Sequence, residues 1–519
     1  MGKDSSAQVQ SEATRSWGET IAACFQGRVL SMLFLGFSAG LPILLIFSSL
    51  SLWLRDAGVA RSTVTFFSWA ALGYSFKFVW APLVDRLPLP VLTNWLGRRR
   101  SWLLVSQLAI VGAMIFMALH NPQDSLVMMA LGAVLLGFSS ATQDIVIDAY
   151  RIEAADSDLQ ALMSSAYIAG YRVGMLAAGA GALALASWFG AVDGAPYNYT
   201  AWSYAYLCMA ALMLVGIITT FSVREPEVQS STHKYGTVDY LRFVGLFAVA
   251  TAVFVAGFIV FGTQTGVVAS LFQPLTGELV AAFLAEALRL ILSAAGGLLA
   301  AWFMVRLHIV SPAMVDETYV APFRDFFSRF GRLAIIILLL VGTFRISDIV
   351  MGAVANVFYD DMGYTKQQIA TITKTFGLFM TIAGGFLGGI LAIRYGVMKS
   401  LWLGAFLAAV SNLLFALLAV SEPQSWMLAG VIAADNLSGG LASAAFVAYL
   451  SGLTNRAFTA MQYAVFSSLM TLLPKLLAGY SGTAVDAVGY PTFFIGSALI
   501  GLPVLFLVGY LGRHMSPKS

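Results

Sequence analysis

The chain has 519 residues, of which 59% are hydrophobic and 11% charged, with a formal net charge of +3 and a mean hydropathy of +0.82. Soluble domains carry roughly 25% charged residues, so a water-soluble globule of this size would lack polar surface, and disorder needs an apolar-poor, charge-rich chain. No long basic run is present, which excludes nucleic acid as an expected partner. The two cysteines, Cys24 and Cys208, fall in different segments, and His120, His233, His308 and His514 fall at helix ends or in loops. That leaves no disulfide framework, no metal site, no cofactor motif and no intramembrane histidine relay. What remains is an all-α polytopic membrane protein.

Residues 1–27 are polar, show no signal-peptide pattern and read as a cytoplasmic N-terminal segment. Apolar windows then predict about fourteen transmembrane helices. They lie near 29–54, 62–85, 102–120, 126–150, 160–190, 201–223, 241–263, 278–305, 333–358, 367–393, 400–420, 426–452, 458–482 and 491–512. The lysines and arginines between them fall overwhelmingly on one side, while the other side holds Arg55, Arg61 and Lys366. The positive-inside rule therefore places both termini in the cytoplasm.

A cryptic repeat follows the first and ninth spans. LWLRDAGVARSTV and NVFYDDMGYTKQQI share D-x-G-x-x-[RK], carried by Asp56, Gly58 and Arg61 and by Asp361, Gly363 and Lys366. The expected organisation is a six-helix half over 28–224, a cytoplasmic connector over 225–240, two inserted helices over 241–305, an amphipathic linker over 306–331, a second six-helix half over 332–513 and a tail over 514–519. In the linker, PFRDFFSRFGR alternates aromatics with arginines, as interfacial helices do, and equally fits a solvated linker helix. Paired halves are the architecture of the major facilitator superfamily, whose parallel repeats enclose a substrate cavity near the midplane. APLVDR followed by GRRR resembles that superfamily's loop signature, with an insertion and with Ala81 in place of the leading glycine. Asp85 is expected to latch onto Arg98, Arg99 or Arg100 and bias one access state.

Ionisable groups cost at least about 2.5 kcal/mol each inside a bilayer, yet the spans hold Lys77, Asp144, Asp148, Arg172, Glu286, Arg289, Arg345, Asp348, Lys374, Asp435 and Lys475. Asp144 and Asp148, at i and i+4, share a helix face, and two adjacent carboxylates suit proton coupling. The plainer reading is that both pair with Lys77, Arg151 or Arg172 and hold helices together. Arg172, flanked by Ala169, Gly170 and Gly174, suits an anion or a structural pair with Asp144. Arg345 and Asp348 share a face and either pair internally or serve a solute. Lys374 has no acid one turn away and is expected to face the cavity. Asp435 and Asn436 can reach hydroxyl groups, Glu286 and Arg289 are expected to neutralise one another, and Lys475 can snorkel. Trp53, Trp69, Trp80, Trp188 and Trp202 fit an aromatic belt at the span ends.

GFSAGLPILLIFSSLSLWLRDAGV, YSFKFVWAPLVDR, GRRRSWLL, SSATQDIVIDAY, GYRVGM, PFRDFF, ITKTFGL and DNLSGGLASAAFVAYL together resemble the AmpG muropeptide permease family across both halves. The resemblance implies a proton-coupled transporter of the bacterial inner membrane. It would import anhydro-muropeptides, the disaccharide-peptides of wall turnover, for peptidoglycan recycling and β-lactamase induction. By motif it places Gln143, Asp144 and Asp148 on the family's Q-D-x-x-x-D helix, Arg172 on its G-Y-R element and Lys374 on its K-T-x-G-L element. Arg345 with Asp348 occupies a basic-x-x-Asp site. The inserted helices lie between the halves, and family members differ on this point. The acetyl-coenzyme A transporter branch shares the Q-D-x-x-x-D region, so that motif alone does not set the substrate.

Both lines suggest one assignment. Gln143, Lys77, Arg172, Arg345, Lys374, Asp435 and Asn436 would bind a glycopeptide with its carboxylates and hydroxyls. Asp144, Asp348 and Asp148 would carry protons, and protonation of Asp144 or Asp348 would release an arginine to bind substrate during alternating access. The expected protein is a monomer in the bilayer and not an enzyme. Its alternatives are a transporter of another anion, such as a coenzyme A ester or a drug, and a polytopic transferase. The transferase would need a nucleophile–base pair or metal cluster at a membrane face, for which no motif is present.

Overall fold

A computed structural model of the chain describes residues 17–60, 67, 74, 76–155, 159–191, 196–227, 235–478 and 481–515, apart from some side chains within helices. The described residues are helical and contain no strand. The long helices, in chain order, are α1 (Gly27–Asp56), α2 (Arg98–Ala118), α3 (Leu126–Ala154), α4 (Gln160–Trp188), α5 (Tyr199–Ser222), α6 (Thr237–Gly262), α7 (Glu278–Arg306), α8 (Leu333–Asp361), α9 (Gly377–Tyr395), α10 (Val397–Leu418), α11 (Ser425–Leu453), α12 (Thr459–Ala478) and α13 (Ser481–Met515).

Among the described residues, twelve helices are long and apolar enough to cross a membrane. Of the other expected spans, 62–85 lies largely outside the described residues. The 458–482 span is present as α12, a 20-residue helix in which Gln462, Ser467, Ser468 and Lys475 dilute the apolar run.

The chain forms two compact units, one from residues 1–81, 89–228 and 330–519 and the other from 82–88 and 229–329. The first holds both six-helix halves. The second holds the inserted pair α6 and α7 with the linker, which is helical from Pro312 to Phe330. Within the pair, Glu286 and Arg289 form an ion pair of 3.1 Å, as their spacing predicts, and the Arg289 guanidinium also lies 3.7 Å from the Phe258 ring centre.

The cryptic repeat appears as a repeated turn. At the end of α1 the N–H of Gly58 bonds to the Arg55 carbonyl and that of Val59 to Leu54. At the end of α8 the N–H of Gly363 bonds to the Asp360 carbonyl and that of Tyr364 to Tyr359. Both glycines have positive φ, 80° and 85°, the left-handed C′ position of a Schellman turn that a side chain resists. The aspartates are used alike: Asp56 accepts from the Trp202 indole and Asp361 from the Tyr490 hydroxyl.

The first half is pinned by a close crossing of α1 and α4. A β-carbon at Gly36 or Gly40 would run into the carbonyls of Tyr167 and Tyr171, and one at Gly170 or Gly174 into those of Leu33 and Phe37. Each helix thus carries G-x-x-x-G, the spacing that lets backbones touch in lipid, where no hydrophobic force drives helices together. The belt reading is corrected for three tryptophans, and Trp69 lies outside the described residues. Trp53 is buried, donates to the Tyr197 hydroxyl at 3.0 Å and stacks on Trp202 at 6.0 Å, so both are core. Trp80 is also buried, against Thr142 at 3.1 Å, whereas Trp188 is exposed.

Candidate functional site

The first half builds a buried charge cluster from three segments. Lys77 sits on a short helical turn, Lys77–Val79, and its ammonium pairs with the Asp144 carboxylate and lies 3.7 Å from that of Asp148. The i, i+4 spacing on α3 puts both acids on the face that Lys77 reaches. Asp144 also accepts from the Tyr167 hydroxyl of α4 at 2.7 Å, and Asp148 from Arg151 at 3.3 Å. Two carboxylates therefore face two cations, and the cluster is balanced, as buried charge must be. Gln143 points elsewhere. It is fully buried and donates to Ser38 of α1 at 2.8 Å.

The expected pairing of Asp144 with Arg172 is not formed; Lys77 takes the carboxylate. Arg172, more than two turns along α4 from Ser164, is exposed and has no hydrogen-bond or ion-pair partner among the described residues. Arg345 of the second half is close enough to it for the two cations to repel. Arg345 sits in the break of α8, between Leu333–Thr343 and Ile346–Asp361. Its Nε is buried with no partner.

Arg345 and Asp348 make no ion pair. Asp348 instead lies within electrostatic range of both Arg345 and Asp435, so the second half also brings two carboxylates together, from α8 and α11, which sequence spacing does not reveal. Asp435 accepts from Ser411 at 3.1 Å. Asn436 accepts from Thr381 at 2.7 Å and donates to the Ile432 carbonyl at 3.0 Å. The Lys374 side chain lies outside the described residues.

The arginine-rich end closes the space between the halves. Arg151 donates to Ser451 of α11 at 2.8 Å, Ser165 to the Gly385 carbonyl of α9 at 2.6 Å, and Arg456 to the Ala155 carbonyl at 3.1 Å. Ala161, Ala392 and Ala448 pack together there. Beyond this seal Arg172, Val173 and Leu176 are exposed. The charged groups of the two halves therefore lie deeper along the helices than this closed end.

The loop arginines are held by carboxylates that the sequence reading did not single out. Arg98 and Arg99 bind Glu153 at 3.3 and 2.5 Å. The backbone N–H groups of Arg99 and Arg100 donate to Glu225 at 2.7 and 3.0 Å, so Glu225 caps the N-terminus of α2. The Arg100 guanidinium caps α5, reaching the carbonyls of Thr220 and Phe221, both at 3.0 Å. Burial pushes the Glu225 carboxyl above its usual range, against the opposing pull of those N–H groups and of Arg99 and Arg98. Asp85, the expected latch, belongs to the other compact unit. The legible signal for Glu225 was an acid directly after a span, three residues past Ser222.

Among the described residues, no group of three or more His, Cys, Asp or Glu side chains could hold a metal ion. The arrangement contains charge pairs that can exchange partners and cations that can take an anion.

Comparison with known proteins places this geometry. Residues 29–223 match the family described as Acetyl-coenzyme A transporter 1. The chain is 30% identical over 489 residues to the putative transporter AmpG 4 of Rickettsia conorii, covering 94% of this chain and 97% of that protein. It is 29% identical to the anhydromuropeptide permease of Escherichia coli K12, covering 93% of this chain and 79% of that one. Among solved structures it is similar to the transporter FucP in an outward conformation, with a TM-score of 0.60 and 10% identity over 96% of this chain and 100% of that one. It is also similar to the proton:xylose symporter XylE, with a TM-score of 0.57 and 12% identity over 96% of each chain. At these identities the structures establish the fold, two halves of the major facilitator type, and the full-length sequence relatives establish the rest: the chain belongs to the AmpG family of transporters.

Proposed function

We propose that the protein imports anhydro-muropeptides, GlcNAc-anhydroMurNAc and its peptides, from periplasm to cytoplasm across the bacterial inner membrane, driven by protons and by alternating access. The observation that carries this reading is the pair Arg172 and Arg345, one from each half and close enough to repel: Arg172 makes no hydrogen bond or ion pair among the described residues, and the Arg345 Nε is buried without a hydrogen-bond partner. With Asp348 in range of Arg345 alone of the two, the guanidinium groups still present an excess of positive charge that is costly in a membrane, and a guanidinium presents a fork that matches a carboxylate. A muropeptide brings carboxylates to this pair and hydroxyls to Asn436 and Asp435. The same contact draws the halves together, which is what moves a rocker-type carrier to its occluded state.

The proton path in this reading uses Asp144 and Asp148 against Lys77, and Asp348 and Asp435 against Arg345. A proton on Asp144 removes the closer of the two partners of Lys77 and leaves a cation in excess, which a carboxylate-bearing solute offsets. Entry of proton and substrate from one side and release of both to the other makes the process symport. The termini and the arginine-rich loops would face the cytoplasm under the positive-inside rule.

The test is uptake of N-acetylglucosaminyl-anhydro-muramyl tripeptide into proteoliposomes under a proton gradient. Accumulation abolished by a protonophore supports the reading, and no uptake by folded protein removes it. The match of residues 29–223 to the acetyl-coenzyme A transporter family supports a second reading, a nucleotide-thioester substrate. Competition by acetyl-coenzyme A in the same assay separates the two.

A further inference from the structure

We propose that Arg151 is the clasp that holds the two halves together at the arginine-rich end, and that protonation of Asp148 opens it. The inference rests on the proton-coupled reading above and names the residue that ties the proton site to the gate.

Arg151 ends the charged face of α3 and is fully buried. Its Nη1 donates within its own half to Gln160 at 3.2 Å and Ser164 at 3.1 Å, and across the divide to Ser451 at 2.8 Å. Its guanidinium carbon also lies 5.2 Å from the ring centre of Tyr463, on α12 of the second half. Its Nη2 donates to Asp148 at 3.3 Å. One planar cation therefore binds the carboxylate and both halves at once.

The socket is rigid. Gln160 is held by three carbonyls, those of Arg151, Ile152 and Ala155, at 3.0, 3.2 and 3.1 Å. Ser451 spends its own proton on the Val447 carbonyl at 2.7 Å, so its oxygen is free to accept from Arg151.

The groups that face Asp148 are Lys77, Asp144, Arg151, Tyr167 and Tyr463. With both aspartates ionised, two carboxylates balance Lys77 and Arg151. A proton delivered to Asp148 from the side opposite the clasp leaves two cations against one carboxylate. Arg151 does not give up its proton, so the excess charge is relieved by movement of the guanidinium out of the socket. That movement breaks the bond to Ser451 and the contact with Tyr463. When Asp148 loses its proton to the newly opened side, the clasp can form again. No bond other than hydrogen bonds changes, and the proton is conserved.

The test uses full-length protein in detergent with Cys24→Ser, Cys208→Ser and Ala448→Cys, since Ala448 is buried in the contact with Ala161 and Ala392. The readout is the rate of maleimide labelling at position 448 against pH, with the maleimide's own pH dependence normalised on unfolded protein. The parent should label faster as the pH falls. Ser451→Ala removes one charged hydrogen bond and should raise labelling about tenfold, while Ser451→Thr keeps the oxygen and should restore the parental rate. Asp148→Asn should label fast at every pH.

Parental rates in both Ser451→Ala and Asp148→Asn, or an unchanged pH profile in Asp148→Asn, would overturn the clasp. Labelling needs neither substrate nor gradient. A failure of muropeptide uptake with this labelling pattern intact would thus overturn the substrate assignment alone.

Discussion

Lys77 holds two carboxylates that would otherwise repel, with its ammonium buried between them. Removing one partner from a buried ion pair costs about 3–5 kcal/mol. Lys77→Met should lower stability by about that amount in detergent unfolding, and adding Asp144→Asn should recover part of it, because the two changes share one interaction. Asp144→Asn alone is expected to keep downhill substrate flux and lose accumulation against a gradient; continued accumulation would sink its coupling role. Arg172 and Arg345 are the anion-binding pair of the proposed function, so Arg172→Ala should weaken substrate binding by tenfold or more in a binding isotherm, with Arg172→Lys, which keeps charge but not the fork, in between. Glu225 has a pH signature. Its folded carboxyl is raised above the unfolded value of 4.5, so the folded protein holds that proton more tightly. The stability it contributes is fully present below 4.5 and is lost as pH rises through the folded value. Melting temperature should therefore fall across the window just above the usual carboxylate range, and Glu225→Gln should flatten it. The acids and bases at this scale were legible as residues too costly to keep in a membrane without a task. Their partners were not: Asp144 meets Lys77 from 67 positions away, and Asp348 meets Asp435 across two helices, because helix spacing reports only neighbours on the same helix.

At the level of elements, small residues decide which helices touch. Gly170 lies against the Leu33 carbonyl, and a β-carbon there would come within 1.8 Å of that oxygen, while Gly245 of α6 has nothing within 4 Å. Gly170→Ala should cost about 1–3 kcal/mol of stability through forced separation of α1 and α4, and Gly245→Ala should be neutral or slightly stabilising, which thermal unfolding of the two variants checks directly. The G-x-x-x-G spacing was present in the sequence on both helices, but which pair of helices used it was not. The D-x-G-x-x-[RK] turns were legible because a C′ glycine is a local requirement. The tryptophans Trp53 and Trp202 show the converse. An apolar ring near a span end has the same one-dimensional position whether it faces headgroups or stacks in the core, and only the packing of α1 on α5 distinguishes these. α8 adds a further case: its apolar run reads as one span, yet it breaks at Arg345, between Leu333–Thr343 and Ile346–Asp361.

For the whole molecule, the hydrogen bonds described between the halves lie at the arginine-rich end, and alternating access would require them to break. A disulfide or short bifunctional cross-link between Ala161→Cys and Ala392→Cys, in protein lacking Cys24 and Cys208, should abolish uptake, leave substrate binding from the opposite side intact, and reverse with a reductant or cleavable linker. Uptake that persists in the cross-linked protein would exclude rocking of these halves. The sequence by itself determined the membrane class, the approximate number of spans, the repeated halves with an insertion between them and the candidate charged residues, because hydrophobic length, turn chemistry and the cost of burying charge are all local properties. The tertiary structure decided which charges neutralise one another, that Arg172 has no partner among the described residues, that Glu153 and Glu225 hold the loop arginines, and that Arg151 joins the acid cluster to the second half. Those outcomes depend on distances between helices far apart in the chain, and such distances are set by the packing of every helix together rather than by the spacing along any one of them.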